Sequence, residues 1–152
     1  MSVIESRLAE LGVTLPDAPA PAANYVPYVV SGNAVYVSGQ ISANAEGFIT
    51  GKVGADLDVA DAAAAAKACA ISLIAQAKKA AGGDLDRLRV VKLVGFVNST
   101  PDFTDQPKVI NGASDFFVAV FGDKGRHARS AVSAGSLPFG VAVEIEAIFE
   151  LE

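Results

Sequence analysis

The sequence predicts an α+β fold, a single sheet carrying two long helices on one face. Three observations lead there. Strand-like and helix-like segments follow one another in the order β-β-(β)-α-β-α-β-β. Both long helices carry a one-sided stripe of small and apolar residues, so each needs a single covering partner. The last strand alternates apolar and acidic residues, as a sheet with one covered face requires.

The elements follow in order. Residues 3–11 read as a short amphipathic helix, with Ile4, Leu8 and Leu11 on one face, a capping box from Ser2 and Glu5, and Gly12 as the stop. Residues 16–24 hold three prolines and several alanines and should run extended over the surface. Residues 1–24 are therefore expected to form an arm, and residues 25–152 the domain. Segments 26–31 and 34–40, rich in Val and Tyr, make a hairpin about Gly32-Asn33, and a short strand over 48–50 should follow. Residues 57–81 form the clearest helix, with Asp56 or Asp58 as N-cap and Gly82-Gly83 at its end. Its stripe of Ala62, Ala66, Cys69, Ala70, Leu73, Ile74 and Ala77 allows close approach to a sheet. Segment 89–97 is nearly continuous in apolar residues, as a central strand would be. Residues 106–121 give the second helix, with Val109, Ile110, Ala113, Phe116, Phe117, Val120 and Phe121 inward. Segments 129–134 and 141–149 are expected to close the chain as a hairpin through Leu137-Pro138-Phe139-Gly140.

Composition narrows the function classes. The chain of 152 residues is 51% hydrophobic, with a formal charge of −5. An acidic chain lacks the Lys/Arg surface that neutralises phosphates, so no nucleic-acid partner is expected. One Cys cannot form an internal disulfide, which fits a reducing compartment. The first residues lack a signal pattern, and no run of about 18 apolar residues suggests a membrane span. A soluble cytoplasmic protein is the expectation. The mean hydropathy of +0.38 suggests that some apolar surface is buried between subunits.

One His and one Cys exclude an ordinary zinc or iron site, and a two-histidine ribonuclease mechanism cannot be built within one chain. No P-loop, GxGxxG or GxSxG pattern calls for a cofactor or a serine nucleophile. Ser38 has no base partner, His127 reads as a solvated loop residue, and Cys69 as packing. Asn98-Ser99-Thr100 matches a glycosylation pattern that a cytoplasmic chain leaves empty. The closing hairpin is the richest place. Glu144, Glu146 and Glu150 share one strand face, and a neighbouring strand opened by Arg129 would set the guanidinium opposite Glu144 or Glu146. Two readings stay open there. One is a cross-strand salt bridge on a wet sheet face. The other is an arginine that grips a ligand carboxylate bidentately, with a glutamate handling a proton or a water.

At this hairpin the sequence resembles the RidA/YjgF family, also called endoribonuclease L-PSP. The signature stands here as Arg129-Ser130, Leu137-Pro138 and Glu144-Ile145-Glu146-Ala147, with fifteen residues from Arg129 to Glu144. Upstream, Pro27-Tyr28 is similar to the family's Gly-Pro-Tyr. Tyr36-Val37-Ser38-Gly39-Gln40-Ile41 is similar to its strand ending Ser-Gly-Gln, and Asn111 falls at its helix-opening asparagine. The resemblance covers residues 24–149. It implies a chorismate-mutase-like fold and a homotrimer with clefts between subunits. It also implies hydrolysis of reactive enamines and imines of the 2-aminoacrylate type to 2-oxo acids and ammonia, a 2-iminobutanoate/2-iminopropanoate deaminase activity without cofactor or metal. Arg129 would bind the carboxylate of a small metabolite and Glu144 would position water. Tyr28 would help close the pocket, with Ser38, Gly39, Asn111 and Ala131 lining it. Ala131 stands where the family often has Cys, and residues 135–136 and 26–30 also depart from its pattern, marking a divergent subgroup with an added N-terminal helix. The alternative is a trimer that binds small carboxylates without turnover.

Overall fold

Strand pairing begins at Gly32-Asn33. There β1 (Tyr28–Ser31) folds back on β2 (Ala34–Ile41), Val30 opposite Val35, and Gly32 adopts the left-handed φ of 61° that the tight turn needs. The computed structural model describes residues 2–152. On its other side β2 pairs antiparallel with β7 (Val143–Leu151). β7 pairs antiparallel with β5 (Leu88–Asn98), and β5 pairs parallel with β6 (Ala128–Ala134). The sheet order is β1-β2-β7-β5-β6, and a small ribbon of β3 (Ala43–Asn44) and β4 (Gly47–Phe48) follows β2.

Helix α2 (Val59–Ala80) starts at Asp58, whose carboxylate accepts from the Asp61 N–H at 2.8 Å. That cap trims the helix by two residues against expectation. Its buried stripe packs on β2 and β7, and α3 (Gln106–Phe121) packs beside it. The 22-residue α2 is long and apolar enough to cross a membrane, the one such helix among the described residues, and here its apolar stripe lies in the core. The N-terminal helix α1 (Val3–Glu10) has the predicted capping box of Ser2 and Glu5. The Asp86 carboxylate accepts from the Val3 and Ile4 N–H groups at 3.1 and 3.0 Å, and Ile4 and Leu8 are buried in the same core as the sheet.

The expected closing hairpin does not form. β6 returns from α3 to lie parallel to β5, a β-α-β unit. Residues 135–142 then cross the end of β5 to its other flank. There the Asn98 backbone N–H donates to Ala142 O at 2.9 Å and the Asn98 side chain donates to Val141 O at 3.1 Å. β6 and β7 thus flank β5 and never touch as a pair. The crossing uses Val141 and Ala142, so the last strand begins at Val143. The expected strand over 48–50 is likewise split: Phe48 closes the ribbon and Thr50 makes an isolated bridge to Val141.

All three helices lie against one sheet face or its end. The other face is uncovered within the chain, with Val29, Tyr36 and Val132 exposed and Val94, Phe96 and Ile148 half-buried among them.

Candidate functional site

A register shift between Val37 and Gln40 ends the regular part of β2, and a cleft of about 250 Å³ opens there. Gly39, Gln40 and Glu144 line its polar side. Pro19 and Pro21 of the arm, Tyr25 just after it, Phe48 of β4, and Phe139 line the rest. Gly39 is where the backbone must approach closely, since an added Cβ would sit 3.1 Å from Cδ of Glu144. The missing side chain leaves the carboxylate its place. Glu144 is half-buried, and its pKa is raised above the ordinary carboxylate value, first by burial and then by the charge of Glu146. The two carboxylates stand on one face as the alternation predicts, and the charge of Glu146 acts on Glu144.

The arm is tied down at this cleft. Gln76 on α2 donates to Pro19 O at 2.7 Å. The Ser38 hydroxyl donates to Val26 O at 2.7 Å, and the Ser38 N–H to Pro27 O at 2.9 Å. Ser38 is therefore spent on holding the Val26-Pro27 segment that follows the arm, and of the expected pair only Gly39 lines the cleft. Tyr28 does not line it either. It opens β1, paired with Val37 and packed on the core, while Tyr25 reaches the cleft three residues earlier.

Arg129 stands elsewhere. In the parallel register it pairs with Leu93, a fully buried residue, so its side chain leaves β6 on the helix-bearing face. Its Nη1 donates to Ser114 Oγ at 3.0 Å and its Nη2 to Pro107 O at 3.1 Å, both on α3. Asn111 lies on the same helical stripe as Pro107 and Ser114 and is exposed. Ala131, two residues along β6, shares the Arg129 face and is half-buried. Glu144 and Glu146 leave β7 on the open face, since Ile145 and Ala147 between and beyond them are buried. Arg129 and the glutamates are thus two strands apart, roughly 10 Å, and on opposite faces. The proposed cross-strand placement is wrong, because it assumed that β6 and β7 pair. The salt-bridge reading falls with it: among the described residues Arg129 has no ion pair.

Arg129 instead ends a hydrogen-bonded row. His127 Nδ1 donates to Gly125 O at 2.6 Å, which leaves Nε2 to accept from the Ser114 hydroxyl at 2.8 Å, and that oxygen accepts from Arg129. His127 is half-buried, a correction to its reading as a solvated loop residue. Its pKa lies below the usual histidine value. Burial is the main cause, the Gly125 contact opposes it, and the Arg129 charge adds to it. A signal was present: His127 lies two residues before Arg129, immediately ahead of the strand that carries the arginine. Cys69 is buried, donates to Val143 O at 3.5 Å, and burial pushes its thiol far up, so it has no reactive thiolate.

Two expectations follow. Ser114→Ala removes one support of the guanidinium, so affinity for a carboxylate probe such as pyruvate should fall about 3–10-fold, the worth of one net hydrogen bond. Calorimetric titration checks it. Because the folded-state pKa of His127 is depressed, its neutral form supports the fold above about pH 6.5, and that support is lost as pH falls below it. The melting temperature of the natural protein relative to His127→Gln should therefore drop by ~1–2 °C between pH 7 and 5. A constant difference across that window contradicts the neutral assignment.

Known proteins resemble the chain over nearly its whole length. A family model described as "YjgF/chorismate_mutase-like, putative endoribonuclease" matches residues 5–150. Protein TCP17 of Trypanosoma cruzi is 54% identical over an alignment covering 99% of each chain. The crystal structure of Atu1372 from Agrobacterium tumefaciens, a protein described as of unknown function, is 53% identical over 99% of this chain and 93% of that one, with a TM-score of 0.92. The structure of TdcF from E. coli with bound serine is 28% identical over 91% of this chain and 96% of that one, with a TM-score of 0.62. The family match runs over nearly the whole chain, so the chain belongs to the YjgF/chorismate mutase-like family.

Proposed function

We propose that the protein hydrolyses enamine and imine derivatives of 2-amino acids, in the cytoplasm, as a homotrimer whose sites lie between subunits. One observation carries the reading. Arg129 and Glu144 sit on different surfaces, each incomplete alone: a guanidinium braced from behind by Pro107 and Ser114, and a half-buried carboxylate at the floor of a cleft. Two patches on opposite faces of one chain can be brought together between copies, and a head-to-tail contact that does so gives a ring when its rotation closes. The uncovered apolar sheet face supplies surface for such an assembly. The family resemblance supports three copies, and serine bound to TdcF supports a ligand with an α-carboxylate.

In this reading the substrate carboxylate is held by the N–H donors of Arg129 that Ser114 and Pro107 leave free. The C=N carbon then faces Glu144 of the neighbouring copy. Starting from the protonated imine, Glu144 takes a proton from water as the water oxygen bonds that carbon, and the C=N π electrons pass to nitrogen to give a neutral carbinolamine. Glu144 returns this proton to nitrogen, and the C–N electron pair leaves with ammonia. The hydroxyl proton passes to Glu144 and on to the ammonia as the carbonyl of the 2-oxo acid forms. A carboxylate with a raised pKa suits both transfers, being a stronger base than an exposed glutamate. Such imines decay unaided in water, so orientation and one acid–base group suffice.

The test is release of 2-oxo acid from 2-aminoacrylate generated in situ by a serine or threonine dehydratase, under semicarbazide competition. The natural protein should accelerate release at least tenfold over buffer. No acceleration, with carboxylate binding retained, would move the protein to the non-catalytic binder reading.

A further inference from the structure

The cleft around Glu144 is built on its far side for something other than a three-carbon imine. Three aromatic residues line it: Tyr25 just after the arm, Phe48 from the ribbon and Phe139 from the crossing loop, each 47–62% exposed. The chain has only eleven aromatic residues, three Tyr and eight Phe, so leaving three in water around one cleft is not incidental. Phe48 and Phe139 stack with centroids 5.1 Å apart and planes at 22°. Phe139 is also the only non-glycine among the described residues with positive φ, at φ 58° and ψ 14°. A bulky side chain held there costs about 1 kcal/mol or more, a strain found where a ring must be presented at a set place. Pro19, Pro21 and Pro138 complete a wall with few hydrogen-bonding groups, and the carboxylate of Glu144 closes one end.

We propose that this wall is a side-chain subsite, and that the preferred ligands are imines and 2-oxo acids with a planar aromatic or large branched apolar group, not those derived from alanine or serine. The inference rests on the imine-hydrolase reading for its chemistry but not for its binding claim. With the reacting carbon beside Glu144 and the carboxylate directed out of the cleft, the substituent on that carbon points at Phe48, Phe139 and Tyr25. A volume of about 250 Å³ is far more than a methyl group fills. The unfilled part would hold several water molecules, at ~30 Å³ each, against a wall that offers them few partners.

The experiment compares phenylpyruvate with pyruvate by calorimetry, and in parallel the imines made by an amino-acid oxidase from phenylalanine and from alanine, under semicarbazide competition. Phenylpyruvate is expected to bind at least tenfold tighter, and the ratio should fall at least threefold in Phe139→Gly. Glycine suits the left-handed backbone there, so that variant remains folded, which its melting curve checks. Phe48→Ala should lower the ratio likewise. Equal binding of the two acids, or a ratio unmoved by both variants, overturns the subsite whether or not imines are turned over. Preferential binding without acceleration of either imine supports the subsite and removes the hydrolase reading. Acceleration of both imines alike, with equal binding, does the reverse.

Discussion

Arg129→Ala and Glu144→Gln proteins, each inactive alone, are expected to regain about a quarter of the natural activity when unfolded together in equal amounts and refolded. The figure is statistical. If a site takes its arginine from one copy and its glutamate from the next, a random mixture sets an intact Arg129 against an intact Glu144 at about one interface in four. Each single variant should lose at least 100-fold in turnover, since one loses the bidentate carboxylate contact and the other its acid–base group. Neither loss should come from unfolding. Arg129 is half-buried at the outermost strand β6 and its hydrogen bonds go to α3 alone. Glu144 holds a charge that burial penalises, so the neutral Gln should leave melting unchanged or raise it near pH 7, and that gain should vanish as pH falls toward 4.5, where the natural residue is protonated too. If the mixture stays as inactive as its parts while forming mixed oligomers, Arg129 and Glu144 do not share a site across subunits.

How much of this was legible in the sequence depends on how local the determinant is. The β1–β2 hairpin could be read because Gly32-Asn33 encodes the turn in two residues. Helices α2 and α3 could be read because their stripes persist over many turns, and the buried residues of α3 are the seven expected. The alternation of β7 also held, with Val143, Ile145, Ala147 and Phe149 buried. What failed was adjacency. A short connection between segments 129–134 and 141–149 looked like a hairpin, and alternation says which face a residue takes but not which strand lies beside it. The hydrogen bonds that carry the loop across the end of β5 come from Asn98, more than forty residues upstream. The cleft was hidden for a similar reason. The bulge after Val37 and the arm anchored by Gln76 decide that Tyr25, not Tyr28, reaches it. Arg129 and Glu144 were picked as the chemical pair by motif, while their separation onto two faces, with all it suggests for assembly, needed the topology.

Gly112→Ala is expected to destabilise the chain strongly although it adds a single methyl group to a helix. Gly112 lies in α3 where that helix crosses α2, and a Cβ there would run into the backbone carbonyl of Ala63. At Gly95, by contrast, the obstacle is a side chain, that of the fully buried Ile110. In an isolated helix Ala gains about 1 kcal/mol over Gly, so propensity alone predicts stabilisation. Overpacking ordinarily costs ~1–3 kcal/mol when side chains can yield. Here neither wall can yield, because both are main chain, so the helices must move apart. A net loss of at least 3 kcal/mol is expected, a lowering of Tm by about 10 °C at this size. Gly135→Ala, with nothing within 4 Å of the added atom and no positive φ, should be near neutral in the same assay. A second consequence separates packing from mere instability. α3 carries both Pro107 and Ser114, so any shift of α3 away from α2 also moves the two acceptors that aim Arg129. Carboxylate affinity should therefore fall at temperatures well below melting, and more steeply than in Gly135→Ala, where the added atom meets nothing within 4 Å. A Gly112→Ala protein with normal melting would mean that the two helices do not meet this closely, and the bracing of Arg129 from α3 would have to be reconsidered with it.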